Sequence, residues 1–403
     1  MLTAALKLAD IAARSLFVLL ALFLLSARET GQFGLFLVLV GFFGFAAGYE
    51  RHPDLQRVLV QLDSSRGDQL VVSTLRLYFA HYIVTVPALL ILLVWWVDLP
   101  YALVAACCAI TIGEHFTNES YRVAVIVPRY RALMAIGLVK NVLLLACMAV
   151  LLLPGRPQID LAALLWLWGV LSLLSLAALG FAFRRFVRGR AGPLMPFVKQ
   201  WKASRTHFLI GLVAILSLQA DRLLAGSFLT LEAAGVYFRH VFLASVGYQA
   251  LGVLSFNRIL PQVYTVMRRG DRHSARNILN RERRRVVPLC IAIASACWVV
   301  KLPGLAHWDV AQQVIPLYLS VLVLAYMVRS LADYNSLVLN GAYRESSVLR
   351  AQLLAVVISA AVGLLAAPRL GVPGILAATL TGSVIYALTS GWLSHRILSS
   401  TPP

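Results

Sequence analysis

THFLIGLVAILSLQADRLLAGSFLTLEAAGVYFRHVFLASVGYQALGVLSFNRILP, residues 206–261, consists of two long apolar runs with charges set inside them. It reads as two membrane helices joined by a tight turn. The turn is GSFLTLEAAG, in which Gly226 and Gly235 bracket a polar patch too short to hold a domain. Asp221, Arg222, Arg239 and His240 fall near the helix ends or inside them, where hydrocarbon makes a charge costly. Residues of this kind turn toward a water-filled cavity rather than toward lipid.

The rest of the chain agrees with this reading. Its 403 residues are 60% hydrophobic and 13% charged, with a mean hydropathy of +0.81. Soluble proteins average roughly half apolar and a quarter charged, so the composition predicts a polytopic, all-α membrane protein. Residues 1–25 carry Lys7, Asp10 and Arg14 and no small-residue cleavage site, so the first span is expected to be retained. The net charge of +19 would suggest nucleic acid in a soluble protein, but here it lies between spans rather than on one face. Cys107, Cys108, Cys147, Cys290 and Cys297 all sit in apolar runs with no C-x-x-C pair, which indicates neither a disulfide framework nor a zinc site.

About 20 apolar residues cross a bilayer. On that measure twelve spans are expected, at roughly 4–26, 31–50, 70–96, 100–122, 131–154, 161–183, 207–229, 233–256, 285–303, 312–340, 347–367 and 373–396. Positively charged connections stay in the cytoplasm. Connections after even-numbered spans, with the C-terminus, hold 26 Lys and Arg, Lys140 among them, against 4 after odd-numbered spans. Both termini are therefore expected in the cytoplasm. The basic connection 184–206 divides an N-terminal lobe, 1–183, from a C-terminal lobe, 207–403, with a central cavity between the lobes. Glu29-Thr-Gly31-Gln-Phe33 opens the second span much as Glu232-Ala-Ala-Gly235-Val-Tyr237 opens the eighth, the mark of an internal repeat. PFVKQWKASR, 196–205, reads as an interfacial helix. RRGDRHSARNILNRERRR, 268–285, reads as a helical segment against anionic head groups. It lacks the interleaved aromatics of a nucleic-acid binder.

Polar residues inside spans form the candidate site. Lys7, Asp10 and Arg14 share one face of the first span, and Glu114, His115, Asn118, Glu119 and Arg122 crowd the fourth. Glu114 or Glu119 is a candidate to load a coupling proton or sodium ion, with a Glu119–Arg122 ion pair as the structural alternative. His115 and Glu119 have helical metal-ligand spacing but no third ligand, so no metal is expected. Arg329 and Asp333 are placed to pair with each other, with Asn335 and Asn340 continuing the stripe. Arg76 and His81 are expected to be solvated. Arg222 and Arg239, on adjacent helices, are expected to converge. Several arginines in a membrane interior call for anions, because guanidinium binds phosphate oxygens bidentately.

The segment from Asp221 to Tyr237, with Leu370-Gly-Val-Pro-Gly374-Ile-Leu-Ala-Ala378 near the end, resembles the Wzx-like polysaccharide flippases of the multidrug/oligosaccharidyl-lipid/polysaccharide (MOP) exporter superfamily. The chain is short for that branch and shows no thirteenth or fourteenth span. The resemblance implies a bacterial inner-membrane transporter, not an enzyme, with no cofactor. Its substrate would be a polyprenyl-pyrophosphate-linked oligosaccharide for lipopolysaccharide or exopolysaccharide synthesis. The diphosphate would sit among Arg14, Arg122, Asp221, Arg222, Arg239 and Arg329, with Glu114, Glu119 and Asp333 as ion-coupling candidates. Polymerase and chain-length proteins would be partners alongside membrane lipids. A drug or cation antiporter of the same superfamily is the nearest alternative and should favour acidic and aromatic cavity residues. A glycan polymerase or ligase would need a large extracytoplasmic loop, and the connections here are short. No G-x-x-x-x-G-K-[ST] sequence is present, so the chain does not hydrolyse ATP through a P-loop.

Overall fold

A computed structural model describes residues 2–49, 55, 59, 64–126, 131–151, 159–187, 197–299 and 313–399. Within them the chain is all-α, with no strand. Thirteen α-helices follow one another: α1 Leu2–Leu24, α2 Ala27–Gly48, α3 Ser64–Trp95, α4 Tyr101–Ile126, α5 Arg131–Leu151, α6 Leu161–Val187, α7 Phe197–Phe228, α8 Leu231–Leu251, α9 Asn257–Arg268, α10 Arg272–Val299, α11 Pro316–Gly341, α12 Glu345–Leu370 and α13 Val372–Ser399. A five-residue π-helical segment, Gly252–Phe256, joins α8 to α9. The chain divides into two compact units, Met1–Leu212 and Val213–Pro403, and the division falls inside α7.

Local chemistry explains several helix ends. Ser26 caps α2 in a reciprocal box with Glu29, and Thr230 caps α8 by accepting from the Ala233 amide. The two caps register the repeat. Gly31 and Gly235 each lie five residues beyond their cap, and Phe33 and Tyr237 seven, so Glu232 falls one position out of line with Glu29. Glu29 also accepts the Leu161 amide at 3.0 Å, at the start of α6. His240 of α8 has the same kind of task. Its Nε2 accepts the Ile315 amide at 2.7 Å at the start of α11, so its Nδ1 carries the proton and donates to the Val236 carbonyl at 2.6 Å. The α12–α13 hairpin needs Gly371, with φ of +63°. It also needs Gly374, where a Cβ would lie 2.5 Å from the Ala366 carbonyl oxygen.

Corresponding helices pack alike in the two units. In the first, α4 touches α2, α3, α5 and α6; in the second, α11 touches α8, α10, α12 and α13 in the equivalent pattern. Small residues let these helices approach: a Cβ on Gly169 of α6 would lie 3.0 Å from Ala106, and one on Gly382 of α13 would lie 2.8 Å from Ser359. Outward faces remain apolar. Phe79, Ile83 and Ile91 recur along α3 and are all exposed, the stripe expected of a helix solvated by hydrocarbon.

Each of the twelve expected spans corresponds to a long helix. Eight are long and apolar enough to cross a membrane, which makes this a multi-pass membrane protein. The other four, α1, α4, α8 and α10, carry much of the embedded or flanking charge. One expectation needs correction. The turn between α7 and α8 is only Leu229 and Thr230, and Gly226 and Gly235 lie inside the helices. Residues 197–205 form the first turns of α7 and lead without a break into the seventh expected span. The basic segment 268–285 turns at Gly270 and then runs uninterrupted through α10 into the ninth expected span. Asp271 starts that helix by accepting the Ser274 amide at 2.9 Å. Hydrogen bonds from Ser274, with His273 nearby, hold the Asp271 carboxyl below its usual range.

Candidate functional site

The first unit buries a cluster where α1, α4, α5 and α6 meet. Glu114 of α4, 2% exposed, accepts from Lys140 of α5 and from the Trp168 indole of α6 at 3.2 Å, and pairs with Arg14 of α1 at 3.0 Å. Asp10 and Asn141 join alongside at 2.7 Å. Trp168 is fully buried and ringed by Phe17, Phe33 and Phe36, with centroids 5.2 to 6.2 Å away. That cage fixes the indole edge on the carboxylate. A turn further along α4, Glu119 accepts from Tyr78 at 2.6 Å and pairs with Arg122 at 2.5 Å. His115 Nδ1 meets Tyr82 hydroxyl at 2.6 Å, while its buried Nε2 has no partner among the described residues. Gly48 makes room for that ring, since a Cβ there would lie 3.2 Å from Nε2.

The second unit organises its charge around arginines. Arg329 of α11, 7% exposed, donates to the carbonyl and hydroxyl of Ser217 on α7 at 2.7 and 3.0 Å and lies over the Tyr386 ring. Arg222 of α7 donates to Gln219 at 2.9 Å and to Tyr326 hydroxyl at 3.5 Å, with its guanidinium 4.9 Å above Phe242. Neither arginine has a carboxylate within ion-pair distance among the described residues, and the Nε of each is buried without a partner. The acids are held by phenols instead. Asp221 accepts from Tyr237, and Asp333 from Tyr248 at 2.5 Å. Beside Arg329 and Asp333 lies a cavity of about 320 Å³ lined also by Tyr248, Gln249, Ser330 and Gln352. On the other side of Arg329 a space of about 20 Å³, lined by Ser217, Asp221, Tyr326, Ser359 and Ser383, has room for one water.

The expected residues therefore fall into three groups. Arg14 with Glu114, and Arg122 with Glu119, are ion pairs of the first unit. Asp221, Arg222, Arg329 and Asp333 form the cluster of the second. Arg239 is 7% exposed in α8, and the contacts of Arg222 are with Gln219, Tyr326 and Phe242. Arg329 and Asp333 do not pair either: the first turns to Ser217 and the second to Tyr248. His81 is not simply solvated, since its Nδ1 lies 2.8 Å from the Ala47 carbonyl and its ring meets Tyr49. Lys140, counted among the cytoplasmic cations, lies 3% exposed inside α5. Lys7 is in α1, and its side chain lies outside the described residues.

Sequence reasoning missed Lys140, Trp168 and the tyrosines 78, 82, 237, 248 and 326. A lysine nine residues into an apolar run was the available signal for the first. Nothing in a lone tyrosine distinguishes a partner of a buried acid from an interfacial anchor.

No protein-family model matches the chain, and no curated protein matches it in sequence. Solved structures do share its fold. A multidrug resistance MATE family transporter of the MOP superfamily, in an inward-facing conformation, aligns with a TM-score of 0.71 at 12% identity, over 98% of this chain and 94% of that one. A MATE protein in a bent conformation aligns at 0.61 and 13% identity, over 97% and 93%. A mutant of the Vibrio cholerae MATE transporter VcmN aligns at 0.60 and 16% identity, over 98% and 94%. The chain thus shares the fold of these MATE transporters.

Proposed function

We propose that this protein is a transporter of the inner membrane of a bacterium, moving a polyprenyl-pyrophosphate-linked oligosaccharide toward the periplasmic leaflet, with both termini in the cytoplasm. One observation supports an anionic substrate above others: in the second unit, Arg329 lies buried beside a cavity with no carboxylate paired to it among the described residues, and Arg222 of α7 is likewise without one. Among the described residues the hydrogen bonds of Arg329 go to neutral oxygens, and each arginine retains an Nε–H without a partner. A diphosphate would supply the missing oxygens, and Gln249, Ser330 and Gln352 line the same space with amides and a hydroxyl suited to sugars. Of the coupling candidates, Asp333 has a neutral phenol as partner, whereas Glu114 and Glu119 are each paired with cations.

A drug or cation antiporter is the second reading, favoured by the MATE fold and by the aromatic lining at Tyr248 and Tyr326. Binding to the full-length protein in nanodiscs separates them. Polyprenyl pyrophosphate should bind, and Arg222→Gln/Arg329→Gln should weaken it at least about tenfold. Saturable binding of a lipophilic cation such as tetraphenylphosphonium, with no response to the pyrophosphate lipid, would overturn the first reading in favour of the second.

A further inference from the structure

At the end of the second unit where α9 turns into α10, a further cavity of about 450 Å³ opens between α10, α11 and α13. It shares no lining residue with the cavity at Arg329. One wall is polar. Arg276, Asn280 and Arg283 stand on one face of α10, facing Asn335 of α11 and Ser394 and His395 of α13. The other wall is Leu279, Leu331, Ala387 and Leu388, and Leu388 is 65% exposed.

The charges of this region do not cancel inside the cavity. Glu282 is the one carboxylate of α10, and it is engaged elsewhere, accepting from Arg258 at 2.7 Å and Ser255 at 2.9 Å and pairing with Arg285 at 3.3 Å. Arg283 is held by neutral amide oxygens, those of Asn335 and, at 3.5 Å, Asn280. Buried Ser394 donates to the same Asn335 oxygen at 3.3 Å, so the amide is fixed from two sides and its NH₂ group stays available. Arg276 has no ion pair among the described residues. Arg396 does not neutralise or reinforce the site, because its guanidinium lies 3.9 Å above Trp392.

Two arginines about 10 Å apart along one helix face, amide donors between them and an apolar wall open to the side make a receptor for one kind of group. We propose that this cavity binds a phosphate carried at the head of an amphipathic molecule: the phosphate bridges Arg276 and Arg283, and the apolar part leaves along Leu388. A membrane phospholipid and a soluble phosphate share the chemistry of the head, and the side opening favours the lipid.

The test uses the full-length protein in detergent and native mass spectrometry, titrating phosphatidylglycerol, phosphatidylcholine and, separately, inorganic phosphate. Phosphatidylglycerol should bind saturably and lose about tenfold in affinity in Arg276→Gln/Arg283→Gln. Arg268→Gln/Arg269→Gln, an equal loss of charge on the exposed turn, should leave it unchanged. The same selective loss seen with inorganic phosphate and not with the lipid would identify the ligand as the free anion. Equal weakening by both double variants, or by neither, overturns the site. Should the double variant fail to fold, Arg276→Gln alone carries the test, because that side chain is exposed and holds nothing in place. Arg222→Gln/Arg329→Gln should keep full lipid affinity, so this site and the transport reading stand or fall separately.

Discussion

The buried charges of the two units sit on equivalent helices and are organised in opposite ways. On α4 the centre is a carboxylate: Glu114 lies between Lys140 and Arg14 and takes an indole hydrogen bond as well, and Phe17, Phe33 and Phe36 close in around that indole. On α11 the centre is a guanidinium: Arg329 leans on a serine and a phenyl ring, with open space beside it. A buried charge with its counter-ions in place holds helices together, whereas one left with neutral partners keeps capacity for a ligand. The first unit thus holds a closed cluster, and the second holds the one proposed to receive a ligand.

The contrast can be broken most decisively at Glu114. Glu114→Gln leaves Lys140 buried without a counter-ion and should cost about 3–5 kcal/mol, read as lower thermal stability in detergent. Glu114→Gln/Lys140→Met should recover most of that loss, and a cost below about 1 kcal/mol for the single change would mean the cluster is not closed. In the second unit, Tyr237→Phe removes the donor to Asp221 and should cost about 1.5–3 kcal/mol. Arg329→Met should cost about 1.5–3 kcal/mol, since the hydrogen bonds of a charged donor to Ser217 are lost, while weakening binding of polyprenyl pyrophosphate. If Arg329→Met destabilised as much as Glu114→Gln, the asymmetry between the units would disappear. Asp271, outside both clusters, calibrates the scale. Its carboxyl is held low in the folded chain, so its contribution is complete above the unfolded value of about 3.9 and fades as pH falls below it. Hydrogen-exchange protection of the Ser274 amide should decline over that range and be weak at every pH in Asp271→Ala.

The helices were legible because hydrocarbon demands runs of a fixed length, and twelve such runs are visible in the chain. The candidate site was legible only as an inventory. Arg222, Arg329, Glu114 and Glu119 announce themselves as charges inside apolar runs, but spacing along a helix suggested partners that the fold does not use. Arg329 and Asp333 share a face and still turn to Ser217 and Tyr248, because neighbouring helices offered closer oxygens. Lys140 was hidden by the opposite error: counting cations by position assigned it to a connection, when its partner is 26 residues away on another helix.

Composition and periodicity alone determined that this is an all-α membrane protein with charge inside, since the cost of exposing backbone and charge to lipid depends on each segment by itself. Tertiary structure alone decided which charges cancel. An ion pair depends on distances of a few ångströms between helices far apart in the chain, and no local pattern encodes them. The closed carboxylate of one unit and the unpaired guanidiniums of the other therefore became distinguishable only once α4 and α11 were packed among their neighbours.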